Sequence, residues 1–390
     1  MPQVVPPFSN YLPVRIRFGD GVALELPEIV SEAGASSALV VVDAGLEELS
    51  PPVGEALTAL AAAGIEVFRS PKGAGEPRGS DVDGAAAALR DSGAGVVVAL
   101  GGGSVIDTAK AARLCAQQGL DFTGFLDSER EFPPPELPLV AIPTTAGTGS
   151  EVSGGAVLID DRSGDKLGIA NPNLRADHAL VDPVLTHSAP PATTAFSGID
   201  AIAQAIAGMV ARTRTPVGDA IALEAVRLGG RALLPVYRDG ADAAARSEMA
   251  CASLLAGLTM NISDCAAEHS LAQAISSRTG APHGLTVGLV LAETLERERR
   301  FVPAQLERVA DALSVPDDGS GDGSRAVGAV RELLRDLDFP VLGSLELAED
   351  DLDDLTERAM ADFFISQSPR PWSATEVRAA FAEALALAGR

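Results

Sequence analysis

The chain has 390 residues, 46% of them hydrophobic and 22% charged, with a net charge of −24 at pH 7. This length and apolar content suit a large folded core spread over two or three domains. The acidic balance argues against nucleic acid or an anionic membrane as a partner, because both demand a basic face.

The N-terminal residues MPQVVPPFSNYLP lack a basic segment followed by an apolar one, so no secretory leader is expected. No run reaches membrane-spanning length without glycine or charge. The three cysteines, Cys115, Cys251 and Cys265, show no CxxC pairing, which suits free thiols in a reducing compartment. The expected location is the cytoplasm.

Residues 11–27 alternate around Gly19-Asp20-Gly21 and predict a β-hairpin, followed by a short helix over 28–34. Ala38–Asp43 is a continuously apolar strand ending in an acid. Asp43 at that carboxyl end is placed either to bind a ribose hydroxyl and repel a 2′-phosphate, or to cap a helix or turn. A helix over 53–63, a strand over 65–68 and a helix over 81–92 follow.

The next strand, from Val96 to Leu100, runs into Gly101-Gly102-Gly103-Ser104 and a helix reaching about Gln118. Three successive glycines let a ligand approach the backbone amides at a helix N-terminus, where a phosphate is stabilised. By itself the same turn also reads as a tight strand-to-helix connection. Neither the Walker spacing nor Gly-x-Gly-x-x-Gly is present.

Leu139–Pro143 is another strand, followed by the hydroxyl-rich loop Thr144-Thr145-Ala146-Gly147-Thr148-Gly149-Ser150. Val157–Asp160 and Lys166–Ile169 predict a hairpin, and Ala179–Asp182 a last strand. Strands alternating with helices predict a doubly wound parallel α/β domain over 1–189.

Beyond Pro190-Pro191 the pattern is all-helical over 190–390. Helices are predicted at 194–212, 217–235, 241–261, 264–278, 284–297, 304–313, 324–337, 348–361 and 374–388, with stops at Pro216, Gly240, Gly280 and Gly343. The segment Asp317–Ser324 reads as a polar solvent loop.

Histidine is rare, with four in the chain. His269 lies on a predicted helix, His283 at the start of the next, and Asp200 among apolar residues on the 194–212 helix. An acid there is costly to bury without a counter-charge. Asp plus two His is an O/N set suited to Zn²⁺ or Fe²⁺ with an open position. By spacing alone the same residues also read as an Asp200 that caps a helix or pairs with an arginine and two ordinary polar histidines.

Together these motifs resemble the group III, or iron-containing, alcohol dehydrogenases, within the wider dehydroquinate synthase-like superfamily. The resemblance rests on Phe18-Gly19-Asp20-Gly21, Ala99–Asp107, Pro143–Glu151, Val181-Asp182-Pro183, Gly198-Ile199-Asp200-Ala201 and Pro282-His283-Gly284, and runs from about Leu12 to the last helices. It implies a nucleotide-binding α/β domain, a helical metal-binding domain, and an active site in the cleft between them. It implies hydride transfer between an alcohol and its aldehyde or ketone.

Carried over by position, Gly102, Gly103 and Ser104 match the pyrophosphate loop. Thr144, Thr145 and Thr148 match the second cofactor loop, Lys166 a cofactor-site lysine, and Leu185 a residue near the nucleotide. Asp43 falls where members preferring NAD over NADP carry an acid. Asp200, His269 and His283 match three metal ligands, for Fe²⁺ or Zn²⁺.

Two metal-site positions and one cofactor-side motif depart from the family. Gln204 replaces a ligand histidine one turn after Asp200, leaving a weak carbonyl oxygen or a water site. Gln273 replaces a common histidine one turn after His269. Near Glu76-Pro77-Arg78 only the proline of the family's Asn-Pro-Thr is kept.

The expected substrate is a small alcohol or aldehyde. The alternative is an anionic carbonyl compound (phosphonoaldehyde, oxo-acid or maleylacetate-like), reduced with or without metal. Arg214, Arg278 and Arg370 are candidates to hold such an anion or else are structural arginines. A dehydroquinate-synthase-type lyase and a degenerate nucleotide-binding protein are further alternatives. Dimers are common in the family, so a homodimer is expected.

Overall fold

The structure is a computed structural model that describes residues 7–128 and 131–386. The first six residues of the N-terminal stretch, and positions 387 and 388 of the last predicted helix, lie outside the described residues. Two compact units emerge. One comprises Pro13–Pro190 with Gly240–Ala250, the other the described parts of Met1–Leu12, Pro191–Asp239 and Cys251–Arg390.

The first unit contains β1 (Arg15–Phe18), α1 (Leu26–Glu32), β2 (Ser37–Asp43), α2 (Leu46–Leu49), α3 (Pro51–Ala62), β3 (Glu66–Lys72) and α4 (Gly79–Ser92). It continues through β4 (Val96–Gly101), α5 (Gly103–Gln118), α6 (Phe122–Leu126), β5 (Leu139–Pro143), β6 (Gly155–Ile159), β7 (Lys166–Ala170) and β8 (His178–Val181). Six strands form a parallel sheet in the order β1-β8-β5-β4-β2-β3, and β6 and β7 pair antiparallel as the predicted hairpin.

Alternate side chains of these strands enter two cores. Leu39, Val41, Val97, Ala99, Leu139 and Ala141 pack against residues of α4, α5 and α6 on one face. Val40, Val42, Val98, Leu100 and Val140 pack against residues of α1 and α3 on the other. Coverage on both faces is why these strands read as unbroken apolar runs. Full burial of each Val or Leu stabilises the fold by roughly 1.5–3 kcal/mol.

The expected hairpin over 11–27 does not form. Only Arg15–Phe18 is extended, and it pairs in parallel with β8. Gly21 takes φ 82° and opens a 3-10 turn, Val22–Glu25, that leads into α1. The Asp182 carboxylate accepts the Ala23 N–H at 3.1 Å, which pins that turn. Pro27 cannot donate to a ladder but suits the first turn of a helix. The short helix α6 had no counterpart in the expected pattern; Asp121 caps it by accepting the Gly124 N–H at 2.6 Å.

After Val181 no strand occurs among the described residues. The helices are α7 (Pro191–Val210), α8 (Pro216–Arg238), α9 (Ala243–Ser263), α10 (Ala267–Thr279), α11 (His283–Glu298), α12 (Pro303–Ala312), α13 (Ser324–Asp336), α14 (Leu352–Ala361) and α15 (Ala374–Ala386).

Pro216 opens α8 behind the Thr215 cap, whereas α7 already ends at Val210. Gly343 does not stop α13 and instead sits in the 3-10 turn Leu342–Leu345. The stop is Asp338, in the left-handed region at φ 49°. There the Phe339 N–H bonds Leu334 O, and the Asp338 N–H bonds Arg335 O. That pairing closes the helix's last carbonyls. No single helix among the described residues is long and apolar enough to cross a membrane.

Candidate active site

The carboxyl ends of β2, β4 and β5 lie side by side and deliver Asp43, Gly101 and Pro143. The chain leaves β2 for β3 on one side and returns to β4 on the other. Such a reversal opens a crevice beyond the strand ends, where open α/β sheets bind ligands.

The glycines there are tight. A Cβ on Gly101 would lie 2.6 Å from Val105 and 3.0 Å from Asp43 Oδ2, and one on Gly103 would lie 2.7 Å from Thr148. Gly102 is the N-cap of α5 and brings no side chain to cover the first amides of that helix. Ser104 lies in the first turn. A bare, positively polarised helix start of this kind suits an anion.

Asp43 accepts a hydrogen bond from the Gly102 N–H. Burial raises its carboxyl above the usual range, while Lys72 and that bond pull it back. It does not cap a helix: the N-cap of α2 is Gly45.

The hydroxyl loop is bound to α5 from below. Thr144 donates its N–H to Gly101 O at 3.0 Å, and the Thr148 hydroxyl accepts the Ser150 N–H at 3.2 Å. Thr145 stands over Gly102, 3.5 Å from where its Cβ would be. Lys110, fully buried, donates to Ser150 Oγ at 2.9 Å, Ser153 O at 3.0 Å and Gly155 O at 2.8 Å. Asp107 accepts from Ser150 Oγ at 2.5 Å and from the Val157 N–H at 2.8 Å.

Burial lowers the Lys110 ammonium to about 8 despite Asp107, and raises the Glu151 carboxyl to about 7. Sequence reasoning gave Asp107 and Lys110 no role. Two opposite charges three residues apart, flanked by Val105, Ile106, Ala109 and Ala111, were the available signal. Lys166 sits in an ion pair with Glu76 at 2.9 Å, so the chain's departure at position 76 supplies the lysine's carboxylate. Leu185 is a core side chain packed under the sheet.

In the helical unit, Asp200 on α7, His269 on α10 and His283 at the start of α11 come together. One ligand atom from each lies within 4.8 Å of the others. His269 Nε2 and His283 Nε2 are each 3.7 Å from Asp200 Oδ1. Gly280, at φ 70°, ends α10, and Pro282 begins the next helix, so the turn brings His283 back beside His269.

Gly284 lets α11 start against α7. A Cβ there would collide with the Phe196 carbonyl oxygen and meet Asp200 Cβ at 3.3 Å. Phe364 packs edge-on to the His269 ring with centroids 5.9 Å apart. Neither residue had been given a separate role from sequence, because the contacts that define them come from distant segments.

The donor set fits a divalent cation. Asp200 is 1% exposed and His269 3%, yet Asp200 Oδ1 and His269 Nε2 have no hydrogen-bond partner. Polar atoms this deep without a hydrogen bond are costly, and a cation between them would offset that cost. Burial works to raise the Asp200 carboxyl, but His283 and His269 bring it below the usual range. Burial works to lower the His269 imidazole, but Cys265, Asp200 and Glu268 bring it well above its usual range. Gln204 and Gln273, one turn beyond Asp200 and His269, are buried with their amide oxygens unpartnered.

The three arginines proposed for an anion are committed elsewhere. Arg214 pairs with Asp219 at 2.7 Å, Arg278 with Asp351 at 2.8 Å, and Arg370 with Glu376 at 2.9 Å while stacking on Trp372. Each satisfies a carboxylate of its own unit.

Residues 13–183 match the family model of iron-containing alcohol dehydrogenase, and residues 194–385 match its C-terminal counterpart, the Fe-containing alcohol dehydrogenase family, C-terminal. The probable alcohol dehydrogenase EutG of Escherichia coli is 33% identical over 368 residues, covering 94% of this chain and 92% of its own. The crystal structure of a 1,3-propanediol oxidoreductase superposes with a TM-score of 0.93 at 29% identity, covering 97% of this chain and all of the other. A sulfoacetaldehyde reductase from Bifidobacterium kashiwanohense, solved in complex with NAD+, gives 0.88 at 27% identity, covering 97% of this chain and 99% of its own. With both stretches matched and this neighbourhood of relatives, the chain belongs to the iron-containing alcohol dehydrogenase family and is an oxidoreductase.

Proposed function

We propose that this protein interconverts a small, uncharged alcohol and its aldehyde or ketone with NAD(H), residues 1–189 carrying the cofactor and 190–390 the metal and substrate. The observation that carries this reading is the Asp200/His269/His283 set, with Asp200 and His269 buried and His283 half-buried, in which Asp200 Oδ1 and His269 Nε2 face one another at 3.7 Å without a hydrogen bond. These three side chains would hold Fe²⁺ or Zn²⁺. The cation supplies Lewis-acid polarisation of a carbonyl or alcohol oxygen, and the nicotinamide supplies the hydride chemistry.

The chain's own residues do the rest. The bare N-terminus of α5 with Gly102, Gly103 and Ser104 would bind the pyrophosphate. Thr144, Thr145 and Thr148 would orient the cofactor from the second loop, with Lys166 and Leu185 at its margin. Asp43 at the end of β2 would accept the ribose hydroxyls and disfavour a 2′-phosphate. An uncharged substrate is favoured because Arg214, Arg278 and Arg370 already carry carboxylate partners.

The test follows nicotinamide absorbance with a panel of small aldehydes and alcohols, before and after chelation, alongside metal analysis. Turnover that is lost on chelation and regained with Fe²⁺ or Zn²⁺ is expected. Absence of turnover with every aldehyde, or full activity in metal-free protein, overturns the reading.

A further inference from the structure

His269 is held from two sides. Its Nε2 faces Asp200 Oδ1 at 3.7 Å, and its Nδ1 lies 2.9 Å from Glu268 Oε1. Glu268 is 1% exposed and is the residue immediately before the histidine, in the first turn of α10. The same Oε1 accepts the Ala266 N–H at 3.1 Å, so the carboxylate is tied to the helix start. That start is itself fixed, because the Ala267 N–H donates to Ser368 Oγ at 3.0 Å.

An imidazole has one donor and one acceptor nitrogen when neutral, and the partner of one nitrogen decides the state of the other. A carboxylate can only accept. Glu268 therefore selects the tautomer with the proton on Nδ1, which leaves the Nε2 lone pair directed at Asp200. The Cys265 thiol and the Phe364 ring also flank the imidazole. Neither offers a carboxylate's acceptor strength.

A second buried acid stands behind this one. Glu298, fully buried on α11, accepts from Trp372 Nε1 at 2.9 Å. Burial first, and the nearby Glu268 next, push its carboxyl up to about 8.

The geometry points to Glu268 as a positioning residue that fixes the Nδ1–H tautomer and ring plane of His269 and so pre-forms the metal site. This rests on the metal reading above and adds a residue to it. Outer-shell carboxylates of this kind change metal affinity by roughly 10- to 100-fold when removed.

The test has two readouts that do not depend on activity. First, Zn²⁺ affinity is measured by chelator competition for the unaltered protein, E268A and E268Q. A loss of roughly 10- to 100-fold is expected for E268A, and substantial retention for E268Q, whose amide oxygen still accepts the Nδ1–H. Second, long-range ¹H–¹⁵N spectra of metal-free, ¹⁵N-histidine-labelled protein report the His269 tautomer directly, a tractable assignment with four histidines.

An Nδ1–H tautomer or a doubly protonated ring donating to Glu268 is expected in the unaltered protein. A neutral Nε2–H tautomer overturns the inference without any variant. So does unchanged affinity in E268A, or an equal loss in E268A and E268Q, which would mark a charge or folding effect. If the unaltered protein takes up no Zn²⁺, the metal reading fails, and the tautomer still decides the role of Glu268.

Discussion

Lys110 Nζ lies 2.9 Å from Ser150 Oγ, and this bond ties the helix behind the glycine turn to the hydroxyl loop. The ammonium has further acceptors in Ser153 and Gly155, and Asp107 beside it holds the same serine. Replacing Lys110 by Met leaves these buried acceptors without their donor and the buried Asp107 without its counter-charge. We expect K110M to lose about 3–5 kcal/mol of stability in urea denaturation. Cofactor affinity should fall with it, because Thr148 and Thr145 lose their footing. Stability within about 0.5 kcal/mol of the unaltered protein would show the cluster to be unimportant.

Stability should fall between about pH 5 and pH 8. Glu151 at about 7 and Glu298 at about 8 both sit above the ordinary 4.5 through burial. Between 4.5 and those values the folded protein keeps protons that the unfolded chain has released. Their stabilising contribution is therefore full below 4.5 and is lost as pH rises through 7 and 8. Lys110, at about 8, acts oppositely above that range: its folded form is neutral while the unfolded form stays charged. Asp322 and Glu376, both lowered to about 2, matter only in acid. Urea midpoints across this range check the slope, and E298Q should flatten it.

Gly284→Ala should damage the metal site from outside it. The added methyl meets the Phe196 carbonyl, so α11 must withdraw from α7 and carry His283 away from Asp200. Overpacking of this sort costs roughly 1–3 kcal/mol. A drop of at least about tenfold in Zn²⁺ affinity is expected in protein that still folds by circular dichroism, since coordination tolerates little displacement of a ligand. Normal uptake in G284A would show that α11 can relax without moving the histidine.

Gln204→His tests the family departure. Position 204 follows Asp200 by one turn and shares its face. An imidazole nitrogen there replaces an amide oxygen, a far weaker donor to Fe²⁺ or Zn²⁺. We expect Q204H to bind Fe²⁺ at least about tenfold more tightly, read by metal analysis after exposure to equal Fe²⁺ and Zn²⁺. An unchanged metal content would mean that residue 204 does not face the cation.

The local code made much of the α/β unit legible. Continuous Val/Ala/Leu runs announced buried parallel strands, and glycine after Leu100 announced a strand-to-helix turn. The failure at 11–27 has a long-range cause. The alternation there was real, but Asp182, far along the chain, captures the Ala23 amide and bends the segment into a 3-10 turn. Likewise Gly343 looked like a helix stop, whereas Asp338 closes α13 through backbone bonds that composition does not advertise.

The sequence by itself determined most of the element types, the parallel α/β character and the residue types suited to a cation, because hydrophobic period and side-chain chemistry are local properties. Only the tertiary structure decided which charges are partnered. It committed Arg214, Arg278 and Arg370 to their own acids, placed Glu268 against His269 Nδ1, and left Asp200 Oδ1 facing His269 Nε2 without a hydrogen bond. Partnership depends on distance between segments remote in sequence and on exclusion of water, and neither is written in the order of the residues.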